Sequence, residues 1–143
     1  MSAEKLYSEI FEEFGKSETK QQRLDVLRKY DSLAFRQFLV YALDPNIKFD
    51  VPLPETYRPA IEPAGLNYSY LNLEVPKLYR FVEGHPKRAS GLTPKKQTDL
   101  LRVILESLHK DEARLLVKLI QKDLGVKHLT PSLIKEAYPE ILL

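Results

Sequence analysis

Where a chain of 143 residues places its ten prolines decides how much of it can be helix. Proline lacks an amide hydrogen and its ring clashes with the preceding turn, so it fits the first position of a helix and is expelled from the interior. Five prolines, Pro45, Pro52, Pro54, Pro59 and Pro63, fall in under twenty positions, a density that no regular helix survives. Two more follow threonine, at Thr93-Pro94 and Thr130-Pro131. There the hydroxyl can cap a free amide and the ring takes the first helical position, so each pair is a helix start. The chain therefore divides into N-terminal helices over 1–44, a Pro/Tyr-rich loop over 45–72 and a basic helical part over 73–143.

Periodicity fills in the helices. Leu6, Ile10 and Phe14 recur at four-residue spacing beside Tyr7 and Phe11, which predicts an amphipathic helix over 3–14 ended by Gly15. Ser17 opens a second helix over about 18–29, with Leu24 and Leu27 inward. Asp31 or Ser32 caps a third, LAFRQFLVYAL, apolar on several sides and therefore central, stopped by Asp44 and Pro45. Tyr57, Tyr68 and Tyr70 should pin the following loop, laid over the third helix. Asn72 caps LEVPKLYRFVEG, with Leu73, Leu78, Phe81 and Val82 available for burial and Gly84 closing it. The helix from Thr93 runs to about Leu108. Lys110 or Asp111 opens the next, where Ala113, Leu116, Leu119 and Ile120 face inward and Gly125 supplies the stop. With the helix from Thr130 this predicts one all-α domain, an orthogonal bundle of about seven helices.

Several function classes are excluded by what the chain lacks. No cysteine means no disulfide, thiolate metal site or cysteine nucleophile, and His85, His109 and His128 have no ligand spacing. Five glycines spread singly make no phosphate-binding loop, and neither a G-x-S-x-G elbow nor an HExxH helix occurs. Paired acids such as Glu12-Glu13 and Asp111-Glu112 suit helix caps and dipoles. The expectation is a protein without catalytic residues, metal or cofactor. No apolar run approaches the roughly 20 residues of a membrane span, and the acidic, amphipathic N-terminus is unlike a signal peptide, so a soluble cytoplasmic protein is expected.

The formal net charge is only +2, but it is unevenly placed. Between Gly84 and Lys135 eleven lysines and arginines face five acids, a surplus of six, which leaves the rest of the chain at −4. A basic half can be the footprint of a polyanion, or a solvated surface. Two places concentrate it. HPKRASGLTPKKQT carries Lys87, Arg88, Lys95 and Lys96 without an acid, and DLGVKHLT sets Lys127 and His128 just ahead of a helix start, where amides and cations suit an anion such as a backbone phosphate.

Three stretches resemble a known family. SETKQQRLDVL opens the second helix with polar residues, Gly91 to Leu108 spaces a basic loop from a capped helix, and LLVKLIQKDLGVKHLTPSLIKEAYPEIL joins an apolar helix to a short glycine turn, a small helix and an aromatic-proline pair. They are similar to the N-terminal, all-helical DNA-binding domain of ATP-dependent DNA ligases of the tailed-phage type. Lys122, Asp123, Leu124, Ser132, Tyr138 and Pro139 occupy matching positions, with one extra residue in the turn. The ligases' nucleotidyltransferase domain, with its K-x-D-G lysine, has no counterpart, since Lys29-Tyr30-Asp31-Ser32 shares only two letters. No ligase chemistry is expected from this chain alone. Its stand-alone form is similar to small tailed-phage proteins, which implies a viral source and the host cytoplasm.

The resemblance implies non-catalytic, sequence-independent binding of double-stranded DNA along the minor groove. The contacts it assigns are Lys20, Arg23, Lys95, Lys96, Lys122, Lys127, His128, Thr130 and Ser132. The alternative is a protein-interaction adaptor that keeps the fold without DNA binding and engages a protein partner through the loop from Asp50 to Leu71 or the apolar tail PEILL. For that tail, packing on the bundle is the competing expectation.

Overall fold

The computed structural model describes residues 5–63 and 66–141. Among them the chain forms seven α-helices: α1 (Tyr7–Gly15), α2 (Lys20–Lys29), α3 (Leu33–Leu43), α4 (Leu71–Glu74), α5 (Pro94–Ser107), α6 (Lys110–Ile120) and α7 (Pro131–Ala137). A 3-10 helix (Val75–Phe81) continues α4, and the only β-like pairing among the described residues is an isolated antiparallel bridge between Phe49 and Val82. The protein is a single all-α domain.

Its starts are set by short side chains, as sequence predicts. Ser32 Oγ accepts the Phe35 N–H, Thr93 Oγ1 the Lys96 N–H and Thr130 Oγ1 the Leu133 N–H. The second helix differs: Thr19, not Ser17, caps α2, because Gln22 returns the bond to the Thr19 N–H and closes a reciprocal box. Asn72 caps nothing, since Tyr70 holds the cap position and Asn72 Oδ1 accepts the Tyr7 hydroxyl. Pro76 sits in the following 3-10 turn, where its missing amide costs no α-helical bond.

The third helix is central, as its composition demands. Phe35, Phe38 and Leu39 are fully buried, and Tyr7 meets both rings edge-on at 5.1 Å. Each such side chain contributes about 1.5–3 kcal/mol through area removed from water. Leu73, in contrast, points outward and leaves Leu71, Leu78, Phe81 and Val82 to supply that side of the core.

The loop touches α3 only at its start, where the Phe49 ring meets Tyr41 edge-on at 5.7 Å, and then leaves it. Thr98 Oγ1 donates to Pro52 O, Arg102 Nε to Thr56 O, the Arg58 N–H to Glu106 and the Ser69 N–H to Ser107 O, so the strap runs along α5. Polar side chains spaced along α5 satisfy backbone groups that a proline-rich segment cannot pair within itself. Tyr57 packs partly against the core, whereas Tyr68 is exposed and pins nothing. At the other end, Ile141 packs against the core. Leu142 and Leu143 of the apolar tail, like Ala64 and Gly65 of the loop and Ala3 and Glu4 of the predicted first helix, lie outside the described residues.

Inside the bundle one carboxylate ties three helix starts together. Glu112, in the first turn of α6, is buried and accepts the N–H of Tyr7, first residue of α1, and of Leu71, first residue of α4, each at 3.3 Å. Helix starts carry partial positive charge, so an acid belongs there. Burial still dominates and pushes the Glu112 carboxyl up to about 6, against the pull of the two amides.

Candidate nucleic-acid interface

The acids of the first turns sort the helices into two kinds. Glu9 in α1, Glu74 in α4 and Asp111 and Glu112 in α6 occupy starts where the dipole favours negative charge. These acids are employed in the fold: Glu9 accepts the Leu6 N–H, Glu74 the Ser69 hydroxyl, Glu112 the two amides above. The starts of α2, α3, α5 and α7 have no acid in the first turn; at α3 the cation Arg36 is paired with Asp31 and Glu140, which leaves α2, α5 and α7. They carry or adjoin Lys20 and Arg23, Lys95 and Lys96, and Lys127 and His128 respectively.

Two of those three starts come together. α7 packs on α2, and His128 feels both Arg23 and Lys127. Its pKa is lowered, first by lost hydration and then by these two cations, and no carboxylate acts against them. Lys127 and His128 are exposed, and neither Arg23 nor Lys127 has a carboxylate within salt-bridge distance among the described residues. Thr130 and Ser132 lie on the same turn, both exposed; the Thr130 oxygen accepts its cap bond and keeps its own proton to donate. Lys20 is paired with Glu136 at 2.8 Å, but both side chains are about half exposed, so a phosphate can displace that acid at little cost.

Lys95 and Lys96 form a second patch. α5 packs on α6, and its start is anchored at a different corner, where the Arg88 guanidinium holds both oxygens of Asp50 at 2.7 Å and Gln97 donates to Asp50 and Arg80 O. Arg88 is thus occupied by an acid outside the stretch from Gly84 to Lys135, which takes one from the surplus counted in sequence, whereas Arg102 with Asp99 and Arg114 with Asp111 pair within it.

Lys122 departs from its expected role. The α6 helix ends at Gln121 as a Schellman turn, the Asp123 N–H donating to Lys118 O at 3.0 Å and the Lys122 N–H to Leu119 O at 2.9 Å. The left-handed position belongs to Lys122, φ 57°, three residues before Gly125, which turns the chain again at φ 71°. A lysine tolerates that strained backbone because its ammonium reaches the end of α3 and donates to Tyr41 O and to Asp44 O, the latter at 2.8 Å. Burial lowers its pKa, with Asp44 opposing. The cation is spent on helix carbonyls and is removed from the set of phosphate contacts. Arg28, expected with Lys20 and Arg23 on the solvent side of the second helix, does the same for α7, donating to Glu136 O and Ala137 O.

The resemblance-derived pair Tyr138-Pro139 is also structural. Tyr138 is buried, its hydroxyl donates to Leu27 O, and the Arg36 guanidinium lies 4.5 Å above its ring while pairing with Asp31 and Glu140. Among the described residues no group of three or more His, Asp or Glu could hold a metal ion, and no helix is long and apolar enough to cross a membrane.

No curated protein and no solved structure matches the chain. One family model does, over residues 10–126, a span that runs from within α1 through the Schellman turn, includes the hub acid Glu112 and ends just before Lys127. That span covers most of the chain, which therefore belongs to the family of unknown function DUF6433.

Proposed function

We propose that this protein is a non-catalytic, cytoplasmic binder of double-stranded DNA that grips phosphates without reading sequence, as its resemblance to the ligase domain implies. The observation that carries this reading is the charge of the helix starts: α2 and α5 hold cations in their first turns and α7 just ahead of its cap, where their dipoles favour anions, whereas the acids of α1, α4 and α6 are employed in the fold and the Arg36 of α3 is paired. Cations in a first turn cost stability, typically a few tenths of a kcal/mol each. A phosphate bound there removes that cost and meets both the amides and the side chains. The contact set is Lys20, Arg23, Lys127, His128, Thr130 and Ser132 at the α2–α7 end, with Lys95 and Lys96 as a separate backbone contact.

Fluorescence anisotropy with intact, nicked and single-stranded DNA of unrelated sequences tests it across a salt series. Expected are micromolar or tighter duplex affinity, little sequence dependence, and a log–log salt slope of roughly −3 or steeper, since each neutralised phosphate contributes about −0.9. Absence of binding at low salt refutes the reading.

A further inference from the structure

We propose that the face made by residues 58–62, Tyr68 and the outer side of α5 is an interface between two copies of this chain. The proposal does not rest on DNA binding. Ile61 and Tyr68 are 93% and 88% exposed, and Val103, one helical turn from Glu106, is 65% exposed. Ile61 and Tyr68 border a concavity of about 530 Å³ that is also lined by Arg58, Glu62 and Glu106. Its wall is fixed, because Glu106 accepts the Arg58 N–H at 2.7 Å and ties the strap to α5.

The occupant follows from symmetry. A two-fold interface needs one patch to be its own complement, so it must carry protrusion and hollow, and both signs of charge, side by side. This patch does: two exposed apolar side chains stand at the rim of a hollow, and the Arg58 side chain, without a salt-bridge partner among the described residues, lies in the same lining as Glu62 and Glu106. A second copy turned by 180° seats its Ile61 or Tyr68 in the hollow and sets its Arg58 against Glu62. A polyanion is disfavoured on this face by the same two acids.

Sedimentation velocity of the full chain from about 5 µM to about 500 µM reads the association. A reversible monomer–dimer equilibrium is expected, weakened at least about tenfold by Ile61→Glu or Tyr68→Glu, with far-ultraviolet circular dichroism unchanged and, at dilutions where the chain is monomeric, melting unchanged because both side chains are then in water. Arg58→Glu and Glu62→Arg should each weaken the dimer, and the double exchange should restore it. A monomer throughout the range, or a dimer indifferent to Ile61→Glu and not restored by the charge exchange, overturns the proposal.

Discussion

Two places in this small bundle gather charge at helix starts, and they are opposites. At Glu112 the first residues of α1 and α4 deliver their amides to one buried carboxylate on α6, and nothing is left over. Where α7 meets α2, Arg23, Lys127 and His128 stand together with no acid among them, two of them on the exposed turn. The first arrangement closes its electrostatics internally and so contributes to stability. The second is open, and only a group from outside can close it. Lys122 shows that proximity in sequence does not decide which kind a residue joins: five positions before Lys127, it belongs to the closed kind through the carbonyls of α3.

Substitutions should separate the two kinds, affecting folding in one and binding in the other. The largest effect is expected for Glu112→Ala, which removes the acceptor shared by two amides and leaves a gap in the core besides; chemical denaturation should report a loss of about 3 kcal/mol. If stability is unchanged, the hub does not hold the helices.

Next comes pH. The folded carboxyl at about 6 lies above the ordinary 4.5, so between those values the native state holds a proton that the unfolded chain has released. Stability should fall by about 2 kcal/mol as pH rises from 4.5 to 6 and then level off. Comparison with Glu112→Gln isolates the group, because the variant lacks that slope while the carboxyls whose pKa is lowered, Asp31 and Glu140 by Arg36 and Glu13 by a hydrogen bond from Tyr30 and by Lys29, still titrate at lower pH.

Lys122→Met should cost about 1–2 kcal/mol, since it keeps the stem and the left-handed strain but strips the carbonyls of α3 of their donor. DNA affinity of the folded variant should not change; a loss specific to binding would return Lys122 to the interface. Smallest in free energy, and confined to binding, is Lys127→Glu, predicted to weaken every duplex alike by about 1 kcal/mol or slightly more with the melting temperature unaltered.

Helix starts were readable because capping is local: Ser32, Thr93 and Thr130 each bond an amide three residues on, and the pattern lies within one turn of chain. Stops and packing partners were less so. Gly125 was the natural stop for α6, yet the left-handed residue is Lys122, chosen by carbonyls about eighty positions away that no local pattern reveals. The strap meets the apolar third helix only through Phe49 and Tyr41 and then runs along α5, because hydrogen bonds from Thr98 and Arg102, and to Glu106, set its further path. Of the nine expected contacts, the sequence could place cations near helix starts but not distinguish Lys122, whose long-range partners are set only by the folded chain. The sequence does carry a partial signal: the first turns of α2, α3, α5 and α7 lack acids, whereas those of α1, α4 and α6 have them, and only the folded chain shows that the Arg36 of α3 is paired.

The most direct test of the open cluster is the pKa of His128 itself, followed by NMR through its ring protons in the free protein and with saturating duplex DNA at low salt. Lost hydration and the cations Arg23 and Lys127 should hold it below the usual 6.5 in the free protein, and phosphates arriving at that corner should raise it. A value that stays the same when DNA is bound would contradict the account, because it would mean that no anion closes the corner where α7 meets α2.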